Sequence, residues 1–145
     1  MDFMILSSLE KVFSDEKPSA PEYKRFSMLK NERTSFQAAF CTESETAIKL
    51  ELSGELSKYA KAYLIKEVPV GNACFDDADD FYLRKSSGNY PDYFVPVDGE
   101  FNVDGGKWYS IWVELAPNGN CVGKSTLSVG LEGVDSNVSR KEIEI

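Results

Sequence analysis

An all-β, antiparallel β-sandwich is the fold class this sequence predicts, and three alternating runs carry the prediction. Residues 108–115 alternate strictly, with Tyr109, Ile111, Val113 and Leu115 on one face and Trp108, Ser110, Trp112 and Glu114 on the other. Past Gly123 a second run sets Leu127, Val129 and Leu131 against Thr126, Ser128 and Gly130. Residues 46–53 place Ile48, Leu50 and Leu52 inward and Lys49 and Glu51 outward. Period two marks a strand, because successive side chains leave opposite faces of the pleated backbone. Between the first two runs lies Pro117-Asn118-Gly119-Asn120, whose residues favour turns: proline presets φ, while glycine and asparagine accept φ > 0. These two runs are expected to form the central hairpin of the sandwich.

The other elements follow in order. Residues 3–6 predict a short first strand. The mixed charges of residues 10–16 and the restricted backbone of Pro18-Ser19-Ala20-Pro21 predict a linker-like crossing. A second strand is expected over residues 26–29 and a third over residues 34–41, with Phe36 and Phe40 on one face. Residues 42–45 look like a hairpin connection. Residues 59–70 predict a long strand whose Pro69 cannot donate to a ladder, so that end is expected at an edge or leaving the sheet. From residue 71 to 106 periodicity fails, which predicts a long loop with room for short strands at 80–85 or 93–97. Residues 137–145 close the chain on a strand, as a domain cut from a longer protein would.

Composition bounds the function. One domain spanning residues 1–145 is long enough to bury a core without metal or disulfide help. A net charge of −8 disfavours nucleic acid, whose phosphates need a basic face, and an anionic membrane surface. Histidine is absent, which removes Ser-His-Asp and Cys-His nucleophilic sites and the commonest zinc ligand. Cys41, Cys74 and Cys121 are odd in number and widely spaced, against zinc binding and a disulfide framework. Cys41 is expected to be a small buried hydrophobe. The N-terminus has Asp2 before a short apolar run rather than a basic segment before a long one, so no secretion signal is visible. A cytoplasmic location, or a chain that starts after a removed signal, is the expectation.

Three stretches invite chemical readings. Asp76, Asp77, Asp79 and Asp80 offer hard oxygen ligands but lack the glycine and distal glutamate of a calcium loop, so weak or no calcium binding is expected. Tyr82, Tyr90, Tyr93, Trp108 and Trp112 could stack on sugar rings, although packing is the more frequent fate of any single aromatic. Gly123-Lys124-Ser125 lacks the upstream glycine of a phosphate-binding loop. No catalytic, cofactor-binding or metal-ligating residue is assigned, and no cofactor is expected.

Several stretches taken together resemble the N-terminal domain that precedes the catalytic barrel in glycoside hydrolase family 123 and in related proteins of unknown function. They are Leu9-Glu10-Lys11-Val12-Phe13, Asp15-Glu16-Lys17-Pro18 and Asn31-Glu32-Arg33-Thr34-Ser35-Phe36-Gln37. Val68-Pro69-Val70, Gly88-Asn89-Tyr90-Pro91-Asp92 and Val95-Pro96-Val97 continue the series. Trp112-Val113-Glu114-Leu115-Ala116-Pro117 and the strand after Gly123 complete it. The resemblance implies an immunoglobulin-like sandwich. It also implies a parent that hydrolyses terminal β-linked N-acetylgalactosamine through the substrate's own acetamido group, with the supporting Asp-Glu pair in the barrel and not here. The expected function is therefore a non-catalytic domain whose partner is its own C-terminal catalytic domain. A carbohydrate-binding module with glycan as partner, or a free-standing immunoglobulin-like interaction domain, are the alternatives. Trp108 and Trp112 are expected to dock against that catalytic domain or to be covered by residues 71–106.

Overall fold

A computed structural model describes residues 1–72, 82–118, 123–133 and 138–145. Its strands in chain order are β1 (Asp2–Ser7), β2 (Thr34–Cys41), β3 (Thr46–Gly54), β4 (Ala60–Val70), β5 (Gly88–Pro96), β6 (Glu100–Val103), β7 (Trp108–Leu115), β8 (Thr126–Gly133) and β9 (Val138–Glu144). They form two antiparallel sheets packed as a sandwich, one in the order β1-β2-β7-β4-β5 and the other β6-β3-β8-β9.

The alternation of β7 explains its central place. Val113 sits between Phe36 and Ala62, and Ile111 between Ala38 and Leu64, so each inward residue meets apolar neighbours on both sides. Leu127, Val129 and Leu131 of β8 face them from the other sheet, and all three are fully buried. Each large side chain so buried contributes about 1.5–3 kcal/mol. The inward faces read from the sequence are the ones observed.

The expected central hairpin is not formed. β7 and β8 lie in different sheets, and the chain crosses the sandwich between them. Residues 42–45 likewise carry the chain from β2 across to β3 and do not close a hairpin. Alternation fixes which face of a strand is buried, and two strands satisfy it equally by facing one core from opposite sides. The crossing at 42–45 packs against the β6–β7 connection, where Gly106 N–H donates to Thr42 C=O at 2.7 Å.

Two further expectations are corrected. Residues 26–29 form no strand: Arg25 makes an isolated parallel bridge to Glu144, and Phe26 packs on Phe36 with ring centres 6.0 Å apart. Residues 71–106 hold β5 and β6 rather than one long loop. The expectation at 93–97 falls largely within β5, whereas 82–85 is not a strand and 80–81 lie outside the described residues. Pro69 is placed as expected, since β7 pairs with β4 only as far as Ile65 and leaves Pro69 to β5 alone.

Candidate docking surface

The outer face of the five-stranded sheet is where the chain leaves large side chains to be accounted for. Trp108, Ser110, Trp112 and Glu114 point there from β7. Register sets Gln37 and Tyr63 on either side of Trp112, and Ala39 and Ile65 on either side of Ser110. β5 extends the rows, with Pro96 opposite Tyr63 and Phe94 opposite Ile65.

One half of this face is closed by the connection after β1. Val12 and Ala20 pack with Leu6, Ala39 and Trp108 in a second apolar cluster, with Met4 and Cys41 at its margin. Trp108 is thereby 8% exposed, and Lys17 Nζ lies 5.8 Å from the centre of its ring. A buried amide holds this strap down. Gln37 Nε2 lies 3.1, 3.2 and 2.8 Å from the carbonyls of Ser7, Ser8 and Glu10. Ser14 donates through its N–H and Oγ to the Glu67 carboxylate, and Trp108 N–H donates to Ser14 C=O at 2.9 Å. Arg84 forks onto Asp15 at 3.0 and 2.8 Å, reaches Glu16 at 3.0 Å, and stacks 3.9 Å from the Phe13 ring centre. Tyr90 meets Phe13 edge-on and donates its hydroxyl to the Ser86 carbonyl at 2.6 Å, with the Arg84 carbonyl 3.2 Å from the same oxygen. The hydrogen bond from Arg84 holds the Asp15 carboxyl below the usual carboxylate range, and that bond in turn raises Arg84.

No comparable strap covers the other half among the described residues. Phe94 is 50% exposed, with its ring 5.2 Å from Trp112 and 6.0 Å from Tyr63, tilted by about 60° to each. Tyr63, Ile65, Phe94 and Trp112 make one apolar patch that continues across β7, β4 and β5.

The aromatic residues singled out in the sequence are therefore dispersed. Trp108 is beneath the strap, Tyr90 supports it, and Tyr93 and Tyr82 are exposed elsewhere, Tyr82 with Lys85 Nζ 4.4 Å from its ring centre. Only Trp112 belongs to the open patch, where its companions are Tyr63 and Phe94. The expected cover from 71–106 is realised in part, because β5 brings Phe94 against Trp112 while the strap covers Trp108. Gln37, Arg84 and Phe94 gave no sequence signal, since their partners are remote in the chain. Cys41 is half-buried at the end of β2, and burial and Asp2 push its thiol up. Cys74, Cys121, Asp76, Asp77, Asp79 and Asp80 lie outside the described residues. Among the described residues no cluster of His, Cys, Asp or Glu is arranged to hold a metal, and no helix is long and apolar enough to cross a membrane.

No known family model matches the sequence, and no curated protein is similar to it. Solved structures are more informative. The chain superposes on part of a family 123 glycoside hydrolase from Clostridium perfringens with a TM-score of 0.73 and 13% identity. That match covers 99% of this chain and 26% of that one, so at the level of fold this chain is like a portion of a larger glycoside hydrolase. Spo0M, a sporulation control protein of Bacillus subtilis, follows at a TM-score of 0.44 and 10% identity, covering 99% and 48% of the two chains. A PapD-like domain of human CEP192 gives 0.37 and 10%, covering 85% and 80%. The latter two scores are too low for comparison element by element.

Proposed function

We propose that this chain is a non-catalytic sandwich domain of a glycoside-hydrolase-type protein, and that it packs on a catalytic domain through Tyr63, Phe94 and Trp112. The observation that carries this reading is the half-covered outer face. The chain devotes a hydrogen-bonded strap to burying Trp108 and leaves the adjoining aromatic patch open. An apolar patch of this kind on a folded domain marks a surface for a partner. The fold-level likeness to part of a family 123 hydrolase supports the choice of partner. Rings tilted by about 60° make a corrugated surface, suited to interlocking side chains better than to a flat sugar ring.

The test uses the protein in which this domain adjoins a catalytic barrel. Phe94→Ala with Trp112→Ala should lower the melting temperature of the two-domain protein more than that of the isolated 145-residue chain. Equal losses would place both residues in the domain's own packing and remove the docking role. The chain alone should release no product from chromogenic N-acetylgalactosaminides. Glycan-array binding abolished by Phe94→Ala would support the carbohydrate-binding alternative instead.

A further inference from the structure

The sandwich is sealed along β7, but one flank is open. Leu50 and Leu52 of β3 and Ala60 and Ala62 of β4 occupy inward-facing positions, yet all four are only half-buried. Between them, beside Val97, lies a cleft of about 600 Å³. Its origin is local. Two alanines stand where larger side chains would fill the space, and β6, only four residues long, stops short of covering it.

The backbone bounding this cleft is unpaired as well. β8 pairs with β3 from Ile48 to Gly54, but on the opposite edge β6 pairs only with Thr46 to Lys49. Leu50 to Ser53 therefore present a free strand edge, a ready template for another extended backbone. That edge ends at Gly54, whose carbonyl accepts from Ser57 Oγ at 2.8 Å. The edges at β1, β9 and β5 are treated differently. Tyr23 N–H donates to Ile5 C=O on β1, while Phe26 N–H donates to Glu144 C=O and Glu144 N–H to Lys24 C=O on β9. β5 is blunted by Pro91 and Pro96, which have no N–H to offer. The second half of β3 has none of these protections and adjoins an apolar cleft.

Two exposed lysines, Lys49 and Lys61, also line this cleft. Carboxylates lie on neighbouring strands, at Glu100 and Glu132 beside Lys49 and at Glu114 beside Lys61. Neither lysine forms an ion pair with a described residue, and Glu114 is paired with Arg33. The charge at the lip therefore remains open to an acidic partner.

We infer that this flank receives an extended peptide segment, apolar at alternate positions and flanked by carboxylates, which adds as a strand beside Leu50–Ser53 and places its apolar side chains in the cleft. Strand addition draws affinity from main-chain hydrogen bonds and selectivity from pockets for alternate side chains, and both features coincide here. This surface meets the Tyr63–Phe94–Trp112 patch at Tyr63, which lines the cleft as well, but Leu50, Leu52 and Ala62 lie outside that patch, and the test does not depend on that proposal.

The probe is a blocked peptide alternating valine and threonine between terminal glutamates, with a lysine-flanked version of the same peptide as comparison. Titration into the 145-residue chain should saturate below about 1 mM for the acidic peptide, with weaker binding of the basic one. Hydrogen exchange should slow at amides within Leu50–Ser53. The double variant Lys49→Glu/Lys61→Glu should weaken binding about tenfold. Ala62→Leu, which fills the cleft from its own wall, should abolish binding without lowering the melting temperature. Absence of saturation, protection confined to β5, or binding unchanged by Ala62→Leu would each overturn the inference. So would binding of dodecanoate in the cleft with no peptide binding, because the site would then be one for an amphiphile.

Discussion

Ser110 donates its hydroxyl to the Gln37 amide oxygen at 2.7 Å, and the two side chains are 3% and 1% exposed on the outer side of the sheet. This bond orients the amide so that its nitrogen faces the carbonyls of Ser7, Ser8 and Glu10 and ties the strap to β2. Buried polar groups left without partners cost about 1–3 kcal/mol. Gln37→Ala should therefore lower stability by about 2 kcal/mol in urea unfolding and hasten proteolysis within residues 8–20. Unchanged cleavage of that segment would show that the apolar contacts of Val12 hold the strap without the amide.

Acid should loosen the strap from its other end. Asp15 titrates below its ordinary value of 3.8 because Arg84 bonds to it. A depressed carboxyl contributes stability that is fully present above the ordinary value and is lost as pH falls through the depressed one. The pair is solvent-exposed on the Asp15 side, so the effect on global stability is small and screened by salt. Hydrogen exchange at residues 12–16 should accelerate more as pH falls from about 4 to about 2 in the native chain than in Asp15→Asn, after correction for intrinsic rates. Identical acceleration in the two proteins would exclude this carboxylate as the cause.

Period-two alternation made the faces of β2, β3, β7 and β8 legible, because burial on one side leaves its record in every second residue. Partnership left no such record. The connections at 42–45 and 117–120 read as hairpin turns, yet the strands that flank each lie in different sheets, and nothing in Ile111 or Val129 says which sheet it belongs to. β5 was legible only in its second half, at 93–97, for another reason: Tyr93, Phe94 and Val95 are all exposed by more than a third, so neither face carries an apolar period. Trp108 and Trp112 share a row but differ in surroundings, because the strap that covers one comes from a distant part of the sequence.

Crossings between sheets depend on close backbone approach, and this gives a ranking of glycines. A Cβ on Gly54 would lie 2.4 Å from the Thr126 carbonyl oxygen, and its φ is +103°. Gly106 has φ +74° but open space around it. Gly106→Ala should cost about 1–2 kcal/mol, the ordinary penalty for a left-handed alanine. Gly54→Ala should cost at least about 3 kcal/mol, since strain and collision act together. Equal losses in thermal unfolding would mean that β3 and β8 separate without penalty.

The two tryptophans provide the sharpest contrast. Both leave β7 on its outer face, so their positions in the strand are equivalent, and only their surroundings distinguish them. Trp108 is 8% exposed and packs with Leu6, Val12 and Ala39, so its removal opens a cavity beneath a strap that Gln37 and Ser14 hold in place. Truncation of a buried tryptophan costs about 3–5 kcal/mol. Trp112 is half-buried against Phe94, and Phe94 is 50% exposed, so little of the Phe94 ring's transfer free energy is realised in the isolated chain. Phe94→Ala should cost below about 1 kcal/mol and Trp112→Ala about 1–2 kcal/mol, well short of Trp108→Ala. The same substitutions in a two-domain protein narrow that gap if the open patch is an interface. There Phe94→Ala and Trp112→Ala act on the docked state, while Trp108→Ala acts on the sandwich alone. Denaturant unfolding of the three variants in both settings decides it. A Phe94→Ala penalty that is the same with and without the catalytic domain would show that no partner rests on this patch.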